Sequence, residues 1–354
     1  MMEMVLNGGR CLDCGPHCPR WSRCGALGGH LGPDTGRLDR YASFEEVRQS
    51  VDAQFEYWTN QMCSSLCVIE NAHRALKPLP YVSALFEDCM ESGHDLTEGG
   101  AKYNGIGPQA SGIATCADSL AAIRQLVFDE KRCTGAELLE AVKHNWKGYE
   151  KLYALVNSSK VHHYGNDDDY ADALFRFMFE TYCRHIAGRK TPRGGIFSPG
   201  VYSVNANVAM GLNTNASVDG RKAGEAISDN MGPVHTELGS HDINGPTAIV
   251  NSLTKVDHSL ATKRLPLMNL RFPQEAWRAS KAATIWQPLL RNTSTRGPMH
   301  VQFNIMSAAT MRAAQKKPED YKDMLVRVAG YSAYFVELGK PLQKDLIQRT
   351  ELHF

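Results

Sequence analysis

The sequence lacks the features that mark membrane, exported or nucleic-acid-binding proteins. No apolar run approaches the ~18 residues that a membrane-spanning helix needs. The start Met1-Met2-Glu3-Met4-Val5 has neither the basic region nor the long apolar segment of an export signal. The 39 basic residues balance 38 acidic ones, so a net charge of +1 favours no nucleic-acid or membrane partner. The sequence therefore predicts a cytoplasmic protein that acts on a small molecule.

Common ligand-binding motifs are missing too. The glycine-rich stretch Gly99–Gln109 has neither the P-loop spacing nor the dinucleotide fingerprint. The three acids Asp167, Asp168 and Asp169 lack the twelve-residue loop and terminal glutamate of a calcium site. Because acids stabilise the N-terminal end of a helix dipole, a helix start is the favoured interpretation of these aspartates.

Cysteine, in contrast, is plentiful. Ten cysteines without an export signal indicate free thiols in a reducing compartment. Four of them crowd into the glycine- and proline-rich residues 1–42 with C-x2-C-x3-C-x5-C spacing: Cys11, Cys14, Cys18 and Cys24. Two interpretations stay open, a zinc or iron–sulfur site and a connecting segment with incidental thiols.

Hydrophobic periodicity indicates a mixed α/β protein. With 354 residues and 43% hydrophobic content, the chain can bury a large core in one or two domains. The pattern predicts an amphipathic helix over Ser43–Ala75 with a serine cap, and a further helix capped by Asp118. Alternation over Pro199–Gly211 predicts a strand. The run Met324–Phe335 predicts a strand that leads into a tight, buried turn at Gly330.

The residues around that turn resemble a known family. Arg327-Val328-Ala329-Gly330-Tyr331 matches the R-V-x-G-Y motif of the glycyl radical enzymes, which include pyruvate formate-lyase. Other family segments occur in the expected order at Gly99–Asn104, Gly165–Tyr170, Asp219–Glu225 and His300–Ile305. From about Ser43 onward, the chain is thus similar to the C-terminal part of these enzymes.

The resemblance implies a fold and a domain division. In the family, a ten-stranded α/β barrel of two five-stranded halves surrounds a loop that carries the catalytic cysteine, and the glycine loop enters from the other side. This chain would supply the second half-barrel and the glycine loop. The expected division is an irregular segment over 1–42, a barrel portion over 43–298 and a glycine radical domain over 299–354.

The resemblance also implies a chemistry for Gly330, the expected catalytic residue. It would store an unpaired electron, since a Cα radical is shared with the flanking peptide groups and only glycine leaves that centre unhindered. A radical S-adenosylmethionine activase would install the radical, with no cofactor bound. The radical would pass to a cysteine, and the resulting thiyl would take hydrogen from a small-molecule substrate. Arg327, Val328 and Tyr331 are expected to hold the loop, and a second copy or additional subunits are expected partners.

The reaction is harder to infer. The C-terminal motifs favour the fumarate-adding branch, similar to benzylsuccinate or alkylsuccinate synthases. Arylacetate decarboxylases, diol dehydratases and formate acetyltransferase-type enzymes are the alternatives within the family. An inactive fragment or a partner-binding subunit is the alternative from another functional class.

Two departures from the family pattern support that last alternative. The family's cysteine loop is expected upstream of the region represented here, and Cys89, in a D-C-M-E sequence, resembles it only superficially. Lys263–Leu267 and Trp277–Pro298 also differ from the family pattern, for which a frameshift in the coding sequence is one explanation.

Overall fold

The computed structural model describes residues 1–12, 29–261, 266–272, 287, 289–291 and 300–350. The α-helices within these ranges are α1 Met2–Leu6, α2 Phe44–Leu76, α3 Pro80–Ser83, α4 Glu87–Ser92, α5 Ile113–Ile123, α6 Gly135–Lys143, α7 Glu150–Val156, α8 Asp169–Ile186, α9 Ala206–Leu212, α10 Gly245–Thr254, α11 Ala308–Lys316 and α12 Lys340–Gln348. The strands are β1 Gly105–Ile106, β2 Ile196–Phe197, β3 His235–Thr236, β4 Gly239–Ser240, β5 Leu267–Phe272, β6 His300–Ile305, β7 Leu325–Arg327 and β8 Ser332–Tyr334.

Two parallel strand pairs lie side by side. β1 pairs with β2, and a bridge between Gln109 and Gly200 prolongs this pair. β5 pairs with β6 over six residues. The amide of Leu267 donates to the carbonyl of Val201 at 3.1 Å, which sets β5 beside the continuation of β2. Helices α5 to α8 connect β1 to β2, as expected because parallel strands need long crossover connections.

The larger hydrophobic core lies around helix α5. This helix begins after Gly112, whose φ of +80° favours glycine, and it is buried along almost its whole length against α8. Helix α2 covers α8 from outside and begins at Ser43, whose hydroxyl accepts a hydrogen bond from the amide of Glu46 at 3.4 Å. The polar, exposed face of α2 is therefore turned away from the core.

A smaller core lies below the β7–β8 hairpin. It is formed by α11, the hairpin and α12, together with one side chain from α9. Its buried apolar residues are Val208, Met311, Ala314, Val326, Val328, Phe335, Leu342, Leu346 and Ile347. The hairpin thus packs on a hydrophobic core that is separate from the larger one. The division into domains at residues 42 and 298 stays a prediction.

The structure confirms some of the predicted elements and corrects others. The helix predicted over Ser43–Ala75 is present as α2, and the mixed helix and strand content fits the α/β class. Asp118 does not cap a helix; it lies inside α5 and is completely buried. The strand predicted over Pro199–Gly211 is wrong in its second half, because α9 begins at Ala206. No helix in the described ranges has the length and apolarity that a bilayer span requires.

Candidate active site

The β7–β8 hairpin presents Gly330 at its tip. The two strands pair antiparallel, with Arg327 opposite Ser332, and four residues connect them. The amide of Val328 donates to the carbonyl of Tyr331 at 2.9 Å, which closes the loop. Gly330 has a φ of +72°, a left-handed conformation in which any other residue is strained. The backbone conformation alone therefore favours glycine at this position.

A tyrosine lies directly over Gly330. The hydroxyl of Tyr202 donates to the carbonyl of Ala329 at 2.7 Å. A Cβ atom added at Gly330 would overlap this hydroxyl. Even the smallest side chain would thus displace Tyr202 or the loop.

A glutamine holds the loop from the other side. Gln302 on β6 is only 8% exposed, and its Oε1 accepts a hydrogen bond from the amide of Gly330 at 2.8 Å. The same oxygen accepts from Nε of Arg327 at 3.3 Å. The peptide group between Ala329 and Gly330 is therefore bonded at its carbonyl by Tyr202 and at its N–H by Gln302.

Burial changes sharply within the loop. Val328 and Ala329 are fully buried, whereas Gly330 is exposed on the surface of the described residues. The prediction of a buried turn is correct for the first two residues and wrong for the glycine itself. The loop is thus anchored firmly while its glycine stays accessible.

A polar pair supports the segment that carries Tyr202. The amide of Ser203 donates to Oδ1 of Asn230 at 2.7 Å, and the amide of Asn230 donates to Oγ of Ser203 at 2.8 Å. Val204 has a φ of +57°, which is unusual for a β-branched residue. Such strain persists only where the surroundings determine the backbone, and it frequently occurs at functional sites.

The residues that the resemblance assigns to holding the loop make the following contacts. Arg327 donates to Ser332 through Nη1 at 3.3 Å, besides its bond to Gln302. The hydroxyl of Tyr331 accepts from Asn205 at 3.3 Å. Val328 packs in the smaller core.

The cysteine predictions fall partly outside the described residues, which do not include Cys14, Cys18 and Cys24. The thiol of Cys11 donates to Oε2 of Glu3 at 3.3 Å, so both interpretations of the N-terminal cysteines stay open. Cys89 is buried in α4, where its thiol lies next to Gly100. Most of the divergent residues 263–298 also lie outside the described ranges.

Comparison with known proteins now assigns the family. The family model described as "Pyruvate formate lyase-like" matches residues 1–211, and the model described as "Glycine radical" matches residues 228–336. This chain belongs to the glycyl radical enzymes. The resemblance seen in the sequence is thereby confirmed.

Three similar glycyl radical enzymes are dehydratases. Over its entire length the chain is 75% identical to (2S)-3-sulfopropanediol dehydratase from Klebsiella oxytoca and covers 41% of that protein. It is 37% identical over 324 residues to trans-4-hydroxy-L-proline dehydratase from Clostridioides difficile, covering 92% of this chain and 40% of that one. The glycerol-bound B12-independent glycerol dehydratase from Clostridium butyricum superposes with a TM-score of 0.88 and 36% identity, over 99% of this chain and 42% of its own.

These relatives overturn one prediction. The fumarate-adding reaction is wrong for this chain, because the relatives described above, at 36–75% identity, are dehydratases. The branch assignment rested on short C-terminal motifs, and the residues of these motifs form and hold the loop of Gly330. The chain spans about two fifths of the length of these relatives.

Proposed function

We propose that this chain is the glycine-radical portion of a dehydratase that acts on a vicinal diol bearing a sulfonate group. The identity of 75% across all 354 residues to a sulfopropanediol dehydratase carries the proposal. Loss of water from a vicinal diol yields an aldehyde, so the products are water and a sulfonated aldehyde. The hydroxyproline and glycerol dehydratases are similar at 37% and 36% identity, which supports dehydration as the reaction class and makes their substrates weaker candidates.

Gly330 is the proposed site of the radical. Its Cα lies beside a peptide group that is hydrogen-bonded on both sides, by Tyr202 and Gln302. A radical at Cα is shared with its flanking peptide groups, so fixing one of these groups keeps the radical centre planar. One Cα hydrogen of Gly330 points at the hydroxyl of Tyr202, and the exposure of the residue leaves the other open to an activating enzyme.

The strand arrangement is compatible with the ten-stranded barrel of the family. We infer that β1, β2, β5 and β6 form part of this barrel, since they lie side by side and helices connect β1 to β2 and β2 to β5. Gln302 on β6 would then join the barrel wall to the glycine loop.

The proposed partners are a radical S-adenosylmethionine activase, the small-molecule substrate and further protein subunits. Large apolar side chains are exposed along the end of α2 and the segment after it, at Leu76, Tyr81, Leu85 and Tyr103. Exposed apolar patches often mark protein contacts, which supports an oligomer or an additional subunit.

A chimera provides the direct test. The matching 354 residues of the Klebsiella oxytoca dehydratase are replaced by this chain, and the hybrid is activated without oxygen by the relative's activating enzyme. We expect a glycyl radical doublet in electron paramagnetic resonance and conversion of (2S)-3-sulfopropanediol to an aldehyde. Glycerol and trans-4-hydroxy-L-proline, offered in parallel, should be converted much more slowly.

Two outcomes separate the parts of the proposal. A doublet with no turnover of any diol would refute the dehydratase assignment and leave radical storage intact. A folded hybrid without a doublet would refute the radical role of Gly330 and favour the partner-binding alternative. The Gly330→Ala hybrid is the negative control for both.

A further inference from the structure

A buried carboxylate lies where three parts of the chain meet. Oδ2 of Asp229 accepts hydrogen bonds from the side-chain amides of Asn269, at 2.8 Å, and Asn230, at 3.1 Å. It also forms an ion pair with Arg349, which directly follows α12 in the glycine-bearing unit of α11, the β7–β8 hairpin and α12. The side chains of Asp229 and Arg349 are 4% and 3% exposed. One oxygen thus joins β5, the segment between α9 and β3, and the glycine-bearing unit.

The side chain of Asn230 lies between Asp229 and the segment that carries Tyr202. Its Nδ2 donates to Asp229, and its Oδ1 accepts from the amide of Ser203 at 2.7 Å. Because a carboxylate can only accept and a backbone N–H can only donate, both neighbours require the same orientation of the Asn230 amide. Asn230 is completely buried, so the opposite orientation would leave its polar atoms without these partners.

The contact of Asn230 fixes the backbone next to Tyr202. Ser203 directly follows Tyr202, and its Oγ accepts from the amide of Asn230 at 2.8 Å, which makes the contact reciprocal. Asn230 has a φ of +44°, a conformation that persists only where the surroundings determine the backbone. The hydroxyl of Tyr202, at 2.7 Å from the carbonyl of Ala329, is therefore held through Asn230.

We propose that Asp229 is a positioning residue, which holds Tyr202 over Gly330 while Arg349 joins the glycine-bearing unit to the rest of the chain. Arg349 belongs to the same unit as Gly330, and Tyr202 binds that unit from outside. Loss of the Asp229 carboxylate would free Asn230 and weaken the bond from Tyr202 to the peptide group of Gly330. The proposal rests on the proposed function, since this bond affects the reaction only if Gly330 carries the radical.

A role of Asp229 in stability alone makes a different prediction. A buried ion pair that only joins two parts of a protein affects the free energy of unfolding and leaves the native contacts of Tyr202 unchanged. Asp345, which lies on α12, provides the comparison, because it also forms an ion pair with Arg349. Asp345→Ala removes a carboxylate from the same arginine and keeps Asp229 in place.

NMR measures the bond between Tyr202 and Ala329 directly. The sequence contains three Ala–Gly pairs, so a chain with ¹³C-carbonyl alanine and ¹⁵N glycine gives three signals in a carbonyl–amide spectrum. The pairs that begin at Ala187 and Ala223 are internal references. Tyr202→Phe removes the hydroxyl and identifies the Ala329 signal, because a carbonyl carbon that loses a hydrogen bond shifts upfield.

We expect Asp229→Ala to shift the Ala329 carbonyl upfield towards its position in Tyr202→Phe, with both reference signals unchanged. Combining Asp229→Ala with Tyr202→Phe should add no further shift, because both remove the same bond. Asn230→Gly should give the same shift as Asp229→Ala, since glycine adopts the φ of Asn230 and lacks only its side-chain contacts. Asp345→Ala should keep the wild-type shift.

Circular dichroism checks that each variant folds, and Asn230→Gly decides the question if Asp229→Ala does not. A wild-type Ala329 shift in either folded variant would overturn the proposal and leave Asp229 with a role in stability alone. An equal upfield shift in Asp345→Ala would also overturn it, because weaker packing of the glycine-bearing unit would then explain the effect.

The chimera with the Klebsiella oxytoca dehydratase tests the consequence for the radical. After activation, Asp229→Ala and Tyr202→Phe should each shorten the half-life of the glycyl doublet, and the double variant should not shorten it further than Tyr202→Phe alone. An unchanged half-life in Asp229→Ala would overturn the positioning role. Absence of a doublet in the unsubstituted chimera would refute the proposed function instead, and the carbonyl shifts, which need no radical, would still decide whether Asp229 holds Tyr202.

Discussion

Gly330 is restrained through the peptide group that it shares with Ala329. Tyr202 binds the carbonyl of this group and Gln302 binds its N–H. Because an unpaired electron at Cα would spread into this peptide, the two side chains are expected to affect both the position of the radical and its lifetime. The predictions at the scale of residues test these contacts separately.

Gly330→Ala should abolish the glycyl radical and destabilise the loop. A residue other than glycine at a φ of +72° costs about 1 kcal/mol, and the new methyl group would also displace Tyr202. The matched control is Gly339→Ala in the same unit, where φ is −59° and a Cβ would meet only Pro341 at 3.9 Å. Thermal unfolding and electron paramagnetic resonance measure the two effects. Equal stability of both variants would contradict the conformational argument.

Gln302→Ala should loosen the loop without a large loss of global stability. It removes the acceptor for the amide of Gly330, so hydrogen exchange at that amide should speed up by about tenfold, the equivalent of ~1.4 kcal/mol for a lost hydrogen bond. Gln302→Glu keeps an acceptor oxygen and should remain slow. Gln315→Ala, which alters a half-buried glutamine of the same unit, is the control. Unchanged exchange at Gly330 in Gln302→Ala would show that this bond does not hold the loop.

The motif around Gly330 could be identified from the sequence, whereas the contacts of Gln302 and Tyr202 with the loop could not. The motif around Gly330 is contiguous, so its residues could be identified from the chain alone. Gln302 lies in a family segment, but its contact with an amide 28 residues away depends on how the hairpin packs beside β6. Tyr202 lies 127 residues from the carbonyl that it binds, and no local pattern indicates such a contact.

Among the elements, helix α3 is joined to the segment that follows α4 by hydrogen bonds to one aspartate, Asp95. The carboxylate of Asp95 accepts from the amide and hydroxyl of Thr97 at 2.8 and 2.6 Å. It also accepts from the amide of Leu79 at 3.0 Å and the hydroxyl of Ser83 at 2.8 Å. The bonds from Thr97, followed by those from Ser83 and Leu79, lower the pKa of Asp95 to about 2.

The lowered pKa of Asp95 predicts that the stability of segment 79–100 depends on pH. Because the pKa is lower in the folded state, the stabilisation is complete above the ordinary pKa of 3.8 and is lost as the pH falls towards 2. We expect segment 79–100 to be cleaved faster by pepsin in Asp95→Asn than in the wild type at pH 4, and the difference to vanish near pH 2. Cleavage of a linear peptide at each pH corrects for the activity of pepsin itself. A difference that persists at pH 2 would contradict the assignment.

Helix α2 and Asp118 show which elements can be predicted from sequence. The start of α2 depends on a serine cap and acidic residues within one turn, and this local information was sufficient. Aspartate is a common helix cap, yet the carboxylate of Asp118 accepts a hydrogen bond from the amide of Tyr164, 46 residues away. The capping preference of a residue type cannot show that its side chain is hydrogen-bonded to a residue far away in the sequence.

At the scale of the whole molecule, a buried arginine connects the two cores. Arg349, just after α12, forms ion pairs with Asp345 and with Asp229, which lies beside the segment that supports Tyr202. All three side chains are less than one-tenth exposed. The glycine-bearing unit is thus joined to the rest of the chain by charge as well as by apolar contacts.

Arg349→Ala should be strongly destabilising. Removing one partner from a buried ion pair typically costs about 3–5 kcal/mol, because the remaining carboxylates stay buried without the positive charge of the arginine. Denaturant unfolding measures the loss. Arg176→Ala is the control, since its ion pair with Glu180 lies on the surface and should contribute less than about 1 kcal/mol. Similar losses in the two variants would show that the buried pair is not a major connection.

The same ion pair has a consequence for how the protein is made. Asp229 lies 120 residues before Arg349, so their ion pair cannot form until almost the whole of this chain has been synthesised. Long-range contacts of this kind form late and leave partly folded chains exposed to aggregation. The link between the glycine-bearing unit and the segment next to Tyr202 should therefore form only after residue 349 has left the ribosome, and the loop of Gly330 would be among the last described parts of the chain to become rigid.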